Sequence, residues 1–301
     1  MSFSLQKAEM NVKLISLLFI ITLTSCGTKP QKWAGQAPIQ KVSTATKPTQ
    51  PQWKGVFSVG DGVYASNDFT GARLDGIVRK NDTLIAALIT AENTPINPSP
   101  WYAFQLWAET EREVTLELTY SAGVRHRYYP KLSKDGKNWE SIAKNDLTLG
   151  PIDLENNRLE LPNSIKLKLT IGPEKVWVSA QELMTSEHNS DWVGLLAKRP
   201  YVSKQIIGNS RQARPLELLQ IGDSKTKKAI FVLSRQHPPE VTGYLAMRSF
   251  VETIAADTEL AEKFRAAYTT YVVPMANPDG VDNGHWRHST VGVDLNRDWE
   301  A

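Results

Sequence analysis

The chain has 301 residues, 41% of them hydrophobic, a formal net charge of +3 and a single cysteine. That length can bury the cores of two domains. The near balance of charge excludes the strong basic field that steers proteins to nucleic acid, and a lone cysteine excludes internal disulfides and thiolate metal cages.

Lys7 and Lys13 make a basic start, and Leu14 to Leu23 is an apolar run too short to span a bilayer comfortably. Leu23-Thr24-Ser25-Cys26-Gly27 follows and resembles a bacterial lipobox. The resemblance implies a signal peptide over 1–26, cut before Cys26, and lipid on the new terminal Cys26. Met10 is an alternative start, and a plain secretory signal with an incidental cysteine is the alternative reading. Lipidation would make this a membrane-anchored lipoprotein of the cell envelope.

Residues 27–52 hold Pro30, Pro38, Pro48 and Pro51 with Lys29, Lys32, Lys41 and Lys47 and no acid. Such a segment cannot bury a core and is expected to be a solvated, basic tether.

Residues 53–181 read as an all-β sandwich. Val114, Leu116 and Leu118 alternate with polar residues, as do Ile165, Leu167, Leu169 and Ile171, the period of strands with one buried face. Asn81-Asp82, Lys134-Asp135-Gly136 and Leu161-Pro162-Asn163 punctuate them as turns. Trp53, Trp101, Trp107, Trp139 and Trp177 suit core and edge packing better than a sugar-binding face. His126 reads as an ordinary polar strand residue.

Residues 182–301 change character. A helix is expected within Glu182 to Pro200. Strands then follow at Leu216 to Ile221 and Ala229 to Leu233, a helix at Val241 to Ala256, and a strand at Tyr268 to Met275. This order gives an α/β domain, a mixed sheet with flanking helices. His237-Pro238-Pro239-Glu240 falls on the strand-to-helix turn, where open α/β sheets place ligands. Pro238 and Pro239 stiffen that turn, and an imidazole and a carboxylate three residues apart can face one point, as zinc requires. A second run follows the last strand: the turn Asn277-Pro278-Asp279-Gly280, then His285-Trp286-Arg287, then Asp294-Leu295-Asn296-Arg297. Arg287 and Arg297 are permanent cations whose forks fit carboxylates.

These two runs, in this order, resemble the zinc metallocarboxypeptidases, the carboxypeptidase A-like family, and within it the cytosolic-carboxypeptidase-like branch. Trp101-Tyr102-Ala103-Phe104 and Arg127-Tyr128-Tyr129-Pro130 more loosely resemble the sandwich that precedes the catalytic domain there. The resemblance implies His237 and Glu240 as two ligands of one Zn2+, Arg287 as the oxyanion-stabilising catalytic residue, and Asn296 and Arg297 as the grip on a substrate's terminal carboxylate. It implies a third ligand histidine and a glutamate base beyond Ala301, so the carboxypeptidase-like domain is expected to be incomplete here and these residues alone to lack turnover. His285 and His288 are not ligand positions in that pattern and are expected to face solvent or to support the site. Two departures stand out: Pro239 where glycine is common, and Asp298 where asparagine or glutamine is common. The substrate implied is a peptide or protein with a free carboxy terminus. The alternatives are an amide hydrolase of the same fold acting on cell-wall peptides or N-acyl amino acids, and a non-catalytic surface binding lipoprotein.

Overall fold

The computed structural model describes residues 48–94, 98–153, 159–222 and 228–299. All lie in the compact unit from Lys41 to Ala301; the other unit, Met1–Gln40, lies outside the described residues, and the lipobox with it.

Among the described residues, eleven strands come first. β1 (Val56–Gly60), β2 (Val63–Ser66), β5 (Ala103–Ala108), β11 (Val176–Ser179), β7 (Lys131–Ser133) and β8 (Glu140–Ser141) form one sheet in that spatial order. β3 (Gly76–Arg79), β4 (Leu84–Ile89), β6 (Arg112–Tyr120), β10 (Ser164–Ile171) and β9 (Leu147–Leu149) form the other. The two period-two segments of the sequence are β6 and β10, paired directly, with Leu116 opposite Leu167 and Leu118 opposite Ile165. Their inward residues meet Val63, Leu106 and Val178 of the other sheet in one apolar core, which makes the expected sandwich. The turns work as their residues require. Asn81 Oδ1 accepts from the backbone of Thr83 and Leu84, and Asp135 Oδ1 accepts from Lys137 and Asn138 while Gly136 takes φ 71°.

The chain then changes core. α1 (Ser186–Leu196) starts at Thr185, whose hydroxyl accepts from His188 N in a capping box. β12 (Val202–Asn209), β13 (Pro215–Ile221), β15 (Thr269–Val273) and β14 (Ala229–Leu233) make a mixed sheet in that order, with β14 and β15 parallel and the rest antiparallel. α2 (Val241–Ile254) buries Val241, Tyr244, Met247, Val251 and Ile254 on one face, and α3 (Glu259–Ala267) follows. Trp192, Leu219, Ile221, Val251 and Val272 share this second core.

Three details differ from the sequence reading. β12 lacks alternation because most of its side chains are exposed, so no period marks it. Asn277 to Gly280 is not a bare turn: Asn277 Oδ1 caps Gly280 N at 3.0 Å and Pro278 starts a short helix, α4 (Pro278–Asp282). The last residues of the expected tether are docked. Thr49 Oγ1 donates to Thr290 O at 2.8 Å, Gln50 N to Glu92 O at 2.7 Å, and Gln52 Nε2 to Ala72 O at 2.6 Å.

The sandwich core sets an energetic expectation. Leu167→Ala should destabilise the protein by about 2–5 kcal/mol. Lys168→Ala, on the exposed side of the same strand, should stay within about 0.5 kcal/mol. Chemical denaturation followed by tryptophan fluorescence checks both, and equal effects would contradict the assigned faces of β10.

Candidate active site

The turn between β14 and α2 is clamped to the segment after β15. Ser234 N donates to Val273 O at 3.0 Å and Asn277 N to Arg235 O at 3.1 Å, while Asn277 Nδ2 reaches Gln236 O at 3.2 Å. Arg235 takes φ 52°, a left-handed conformation that costs a non-glycine residue about 1–3 kcal/mol. Its guanidinium is buried over the Tyr244 ring at 5.3 Å, and burial lowers its pKa to about 10. The Asn-Pro-Asp-Gly run therefore holds in place the turn that carries His237 and Glu240.

His237 Nδ1 lies 2.8 Å from Glu240 Oε1, and its Nε2 lies 2.9 Å from Asp294 Oδ1. Burial alone would lower the His237 pKa, but hydrogen bonds to Asp294 and Glu240 raise it. For Glu240, burial opposes ionisation, and the hydrogen bond and charge of His237 bring its pKa down. Asp294 at Nε2 fixes the ring, and Nδ1 and the Glu240 carboxylate meet on its other side. That is the carboxylate–histidine arrangement of metal sites, and its nitrogen and oxygen donors suit zinc. His237 and Glu240 thus fit two ligands of a Zn2+. Among the described residues, no group of three or more histidine, cysteine or carboxylate side chains is placed to hold a metal ion.

Asp294 organises the second run as well. Arg287 Nε donates to its Oδ2, Asn296 N donates to Oδ1 at 3.0 Å, and Arg297 N donates to its carbonyl at 2.9 Å. Burial would raise the Asp294 pKa, but His237 and Arg287 hold it well below the usual carboxylate range. His237, Glu240, Arg287, Asn296 and Arg297 line one cleft of about 720 Å³, which Ser99, Arg127 and Tyr128 of the sandwich also line. A larger hollow of about 950 Å³ opens on the sandwich. It has no histidine, so metal chemistry points to the smaller cleft.

The structure thus brings together the five residues singled out from sequence in this part of the chain. Asp298 is exposed and Cys26 lies outside the described residues. His285 and His288 do not face solvent: both are buried, and His285 Nδ1 lies 2.9 Å from His288 O. Burial lowers the His285 pKa.

Sequence reasoning assigned no role to three features. Asp294 sat inside a quoted motif, but its partner His237 is 57 positions away. Arg214 bridges Asp279 at 2.7 Å and Asp282 at 2.6 Å and so ties α4 to the β12–β13 hairpin. Glu92, between β4 and the rest of the sandwich, contacts the backbone of the 286–288 loop. Burial would raise its pKa, yet hydrogen bonds from His288 and the charge of His285 bring it down to about 2. No local pattern marks such a carboxylate.

Residues 190–301 match the model of the zinc carboxypeptidase family. Cytosolic carboxypeptidase 6 of Caenorhabditis elegans is 33% identical over 117 residues, 36% of this chain and 26% of that protein. Cytosolic carboxypeptidase 2 of Xenopus tropicalis is 44% identical over 75 residues, 25% of this chain and 8% of that protein. The chain therefore spans about a quarter or less of these curated relatives. Among solved structures, a metallo-carboxypeptidase from Burkholderia cenocepacia superposes with a TM-score of 0.65 at 20% identity, covering 79% of this chain and 62% of that one. The Pseudomonas aeruginosa metallo-carboxypeptidase gives 0.64 at 21% identity, covering 78% and 61%. This likeness extends through the sandwich and gives the fold: mixed α/β, carboxypeptidase-like.

The grip of Asp294 on His237 predicts a measurable loss. Asp294→Asn removes the carboxylate that orients the ring and should lower zinc affinity about tenfold to a hundredfold. Competition against a chelating dye reads it in the full-length protein; unchanged affinity would mean that Asp294 does not orient a ligand.

Proposed function

We propose that this chain, whose residues 190–301 match the zinc carboxypeptidase family, supplies the metal pair, the arginine and the carboxylate grip of an enzyme that hydrolyses carboxy-terminal peptide bonds. The observation that carries the reading is that His237, Glu240, Arg287, Asn296 and Arg297 line one cleft. His237 and Glu240 would hold the zinc. When bound, zinc lowers the pKa of water and polarises a carbonyl.

The chain's own residues do the rest. Asn296 and Arg297 are adjacent, and Arg297 presents a planar fork matched to a terminal carboxylate. They bind and orient the substrate's end, so the scissile bond is the last one. Arg287 spends one of its five donors on Asp294. Its fixed charge would stabilise the negative charge that develops on the carbonyl oxygen, an interaction stronger in the transition state than in the ground state. The substrate class is a peptide or protein with a free carboxy terminus. Zinc occupancy, the two-ligand assignment and the roles of Arg287, Asn296 and Arg297 are parts of this proposal.

The proposal extends to location: a lipoprotein held at the cell envelope through Cys26, supported by the apolar run and the Leu23 to Cys26 pattern. Among the described residues no helix is long and apolar enough to cross a membrane.

Kinetics test the chemistry. In the full-length enzyme, Arg297→Ala should weaken binding of free-carboxylate peptides roughly tenfold to a hundredfold, the loss of a charged hydrogen-bonded contact of about 1.5–3 kcal/mol. Arg287→Ala should lower kcat instead. Cleavage of carboxy-amidated peptides as fast as free ones by the wild type would refute the exopeptidase reading. For the anchor, Cys26→Ala should abolish metabolic lipid labelling and release the protein from membranes; labelling that persists removes the lipoprotein reading.

A further inference from the structure

We infer that Glu92 is a positioning residue for Arg287: a sandwich carboxylate that fixes the backbone on which the arginine is presented to the cleft. The inference rests on the carboxypeptidase reading only for what the arginine then does.

Residues 285–288 belong to no helix or strand, and buried backbone N–H groups outside such ladders need another acceptor. Glu92, which is fully buried, supplies it to three in succession. Its Oε2 accepts from Trp286 N at 2.7 Å, and its Oε1 accepts from Arg287 N at 3.0 Å and His288 N at 2.8 Å. His288 Nδ1 stands 3.1 Å from the same Oε1. Bonds of this kind to an ionised acceptor are about twice as strong as neutral ones.

The side chains of this loop then part. The Trp286 indole is fully buried in the sandwich core, with Nε1 donating to Trp101 O at 3.0 Å. Arg287 instead reaches Asp294 Oδ2 and lines the cleft. Which side chain goes to the core and which to the cleft depends on the path of the backbone between them, and that backbone is held by Glu92. The sandwich is by this account a working part of the active site rather than an appended module. Glutamine cannot replace Glu92 here: it has one acceptor oxygen, and its NH2 would face N–H donors.

The test is Glu92→Gln, alone and with Arg287→Ala, in the zinc-loaded full-length protein acting on a peptide with a free carboxy terminus. A displaced arginine should lower kcat about a hundredfold, with KM changed by less than roughly threefold. In the Arg287→Ala background the same substitution should do less than about twofold further harm, because the two act through one group. Amide exchange should accelerate at Trp286, Arg287 and His288 while β6 and β10 keep their protection. An unchanged kcat in Glu92→Gln overturns the proposal, as does an equal loss in both backgrounds. Lost protection in β6 and β10 overturns it too, since the carboxylate would then serve the sandwich in general. A wild type that cuts no peptide would refute the carboxypeptidase reading instead, and exchange at the three amides would then decide the positioning role by itself.

Discussion

One carboxylate, Asp294, holds the candidate site together. It meets His237 Nε2 with one oxygen and accepts from the guanidinium of Arg287 with the other, and its own loop turns beneath it to place Asn296 and Arg297. The buried charge is tolerable because two cationic or proton-donating partners and a backbone N–H surround it. Remove the acid, and His237, Arg287 and the Asn296-Arg297 pair would have no common reference point, although each sits on a different stretch of chain. The strained φ of Arg235 and the Asn277 clamp serve the same end from the opposite side of the turn.

Much of this was legible from residues alone, for physical reasons. β6 and β10 announce themselves because each buries one face, and a period of two has no other cause. The turn that carries His237 and Glu240 is bounded by a short apolar run and a helix whose start the prolines fix. β12 was invisible because its side chains are nearly all exposed and no period survives. The helix at Pro278 was hidden because asparagine, proline, aspartate and glycine serve turns and helix starts alike. Asp294 and Glu92 were missed for another reason. Their partners are brought to them by tertiary packing, and no spacing in the chain encodes a bond across 57 or 196 positions.

The two cores are less separate than a division near residue 181 suggests. Val241, the first residue of α2, and Trp286 pack with the sandwich cluster, and Ser99, Arg127 and Tyr128 face the cleft from the sandwich side. Gln52 adds a polar tie, donating to both Ala72 O and Asn283 O. A sandwich joined this way forms part of the cleft's wall, so its surface bears on the shape of the cleft as well as on stability.

The seat of Trp286 has a consequence for how the protein is made. Glu92 and Trp101 leave the ribosome early, and the loop they receive is encoded 185 to 196 positions later. A sandwich that formed before the loop arrived would carry an apolar slot and a carboxylate without these partners. Contacts so distant in sequence form slowly. The sandwich core is completed by a tryptophan encoded late in the chain, and a stall in translation before that residue would leave the slot open to foreign apolar segments.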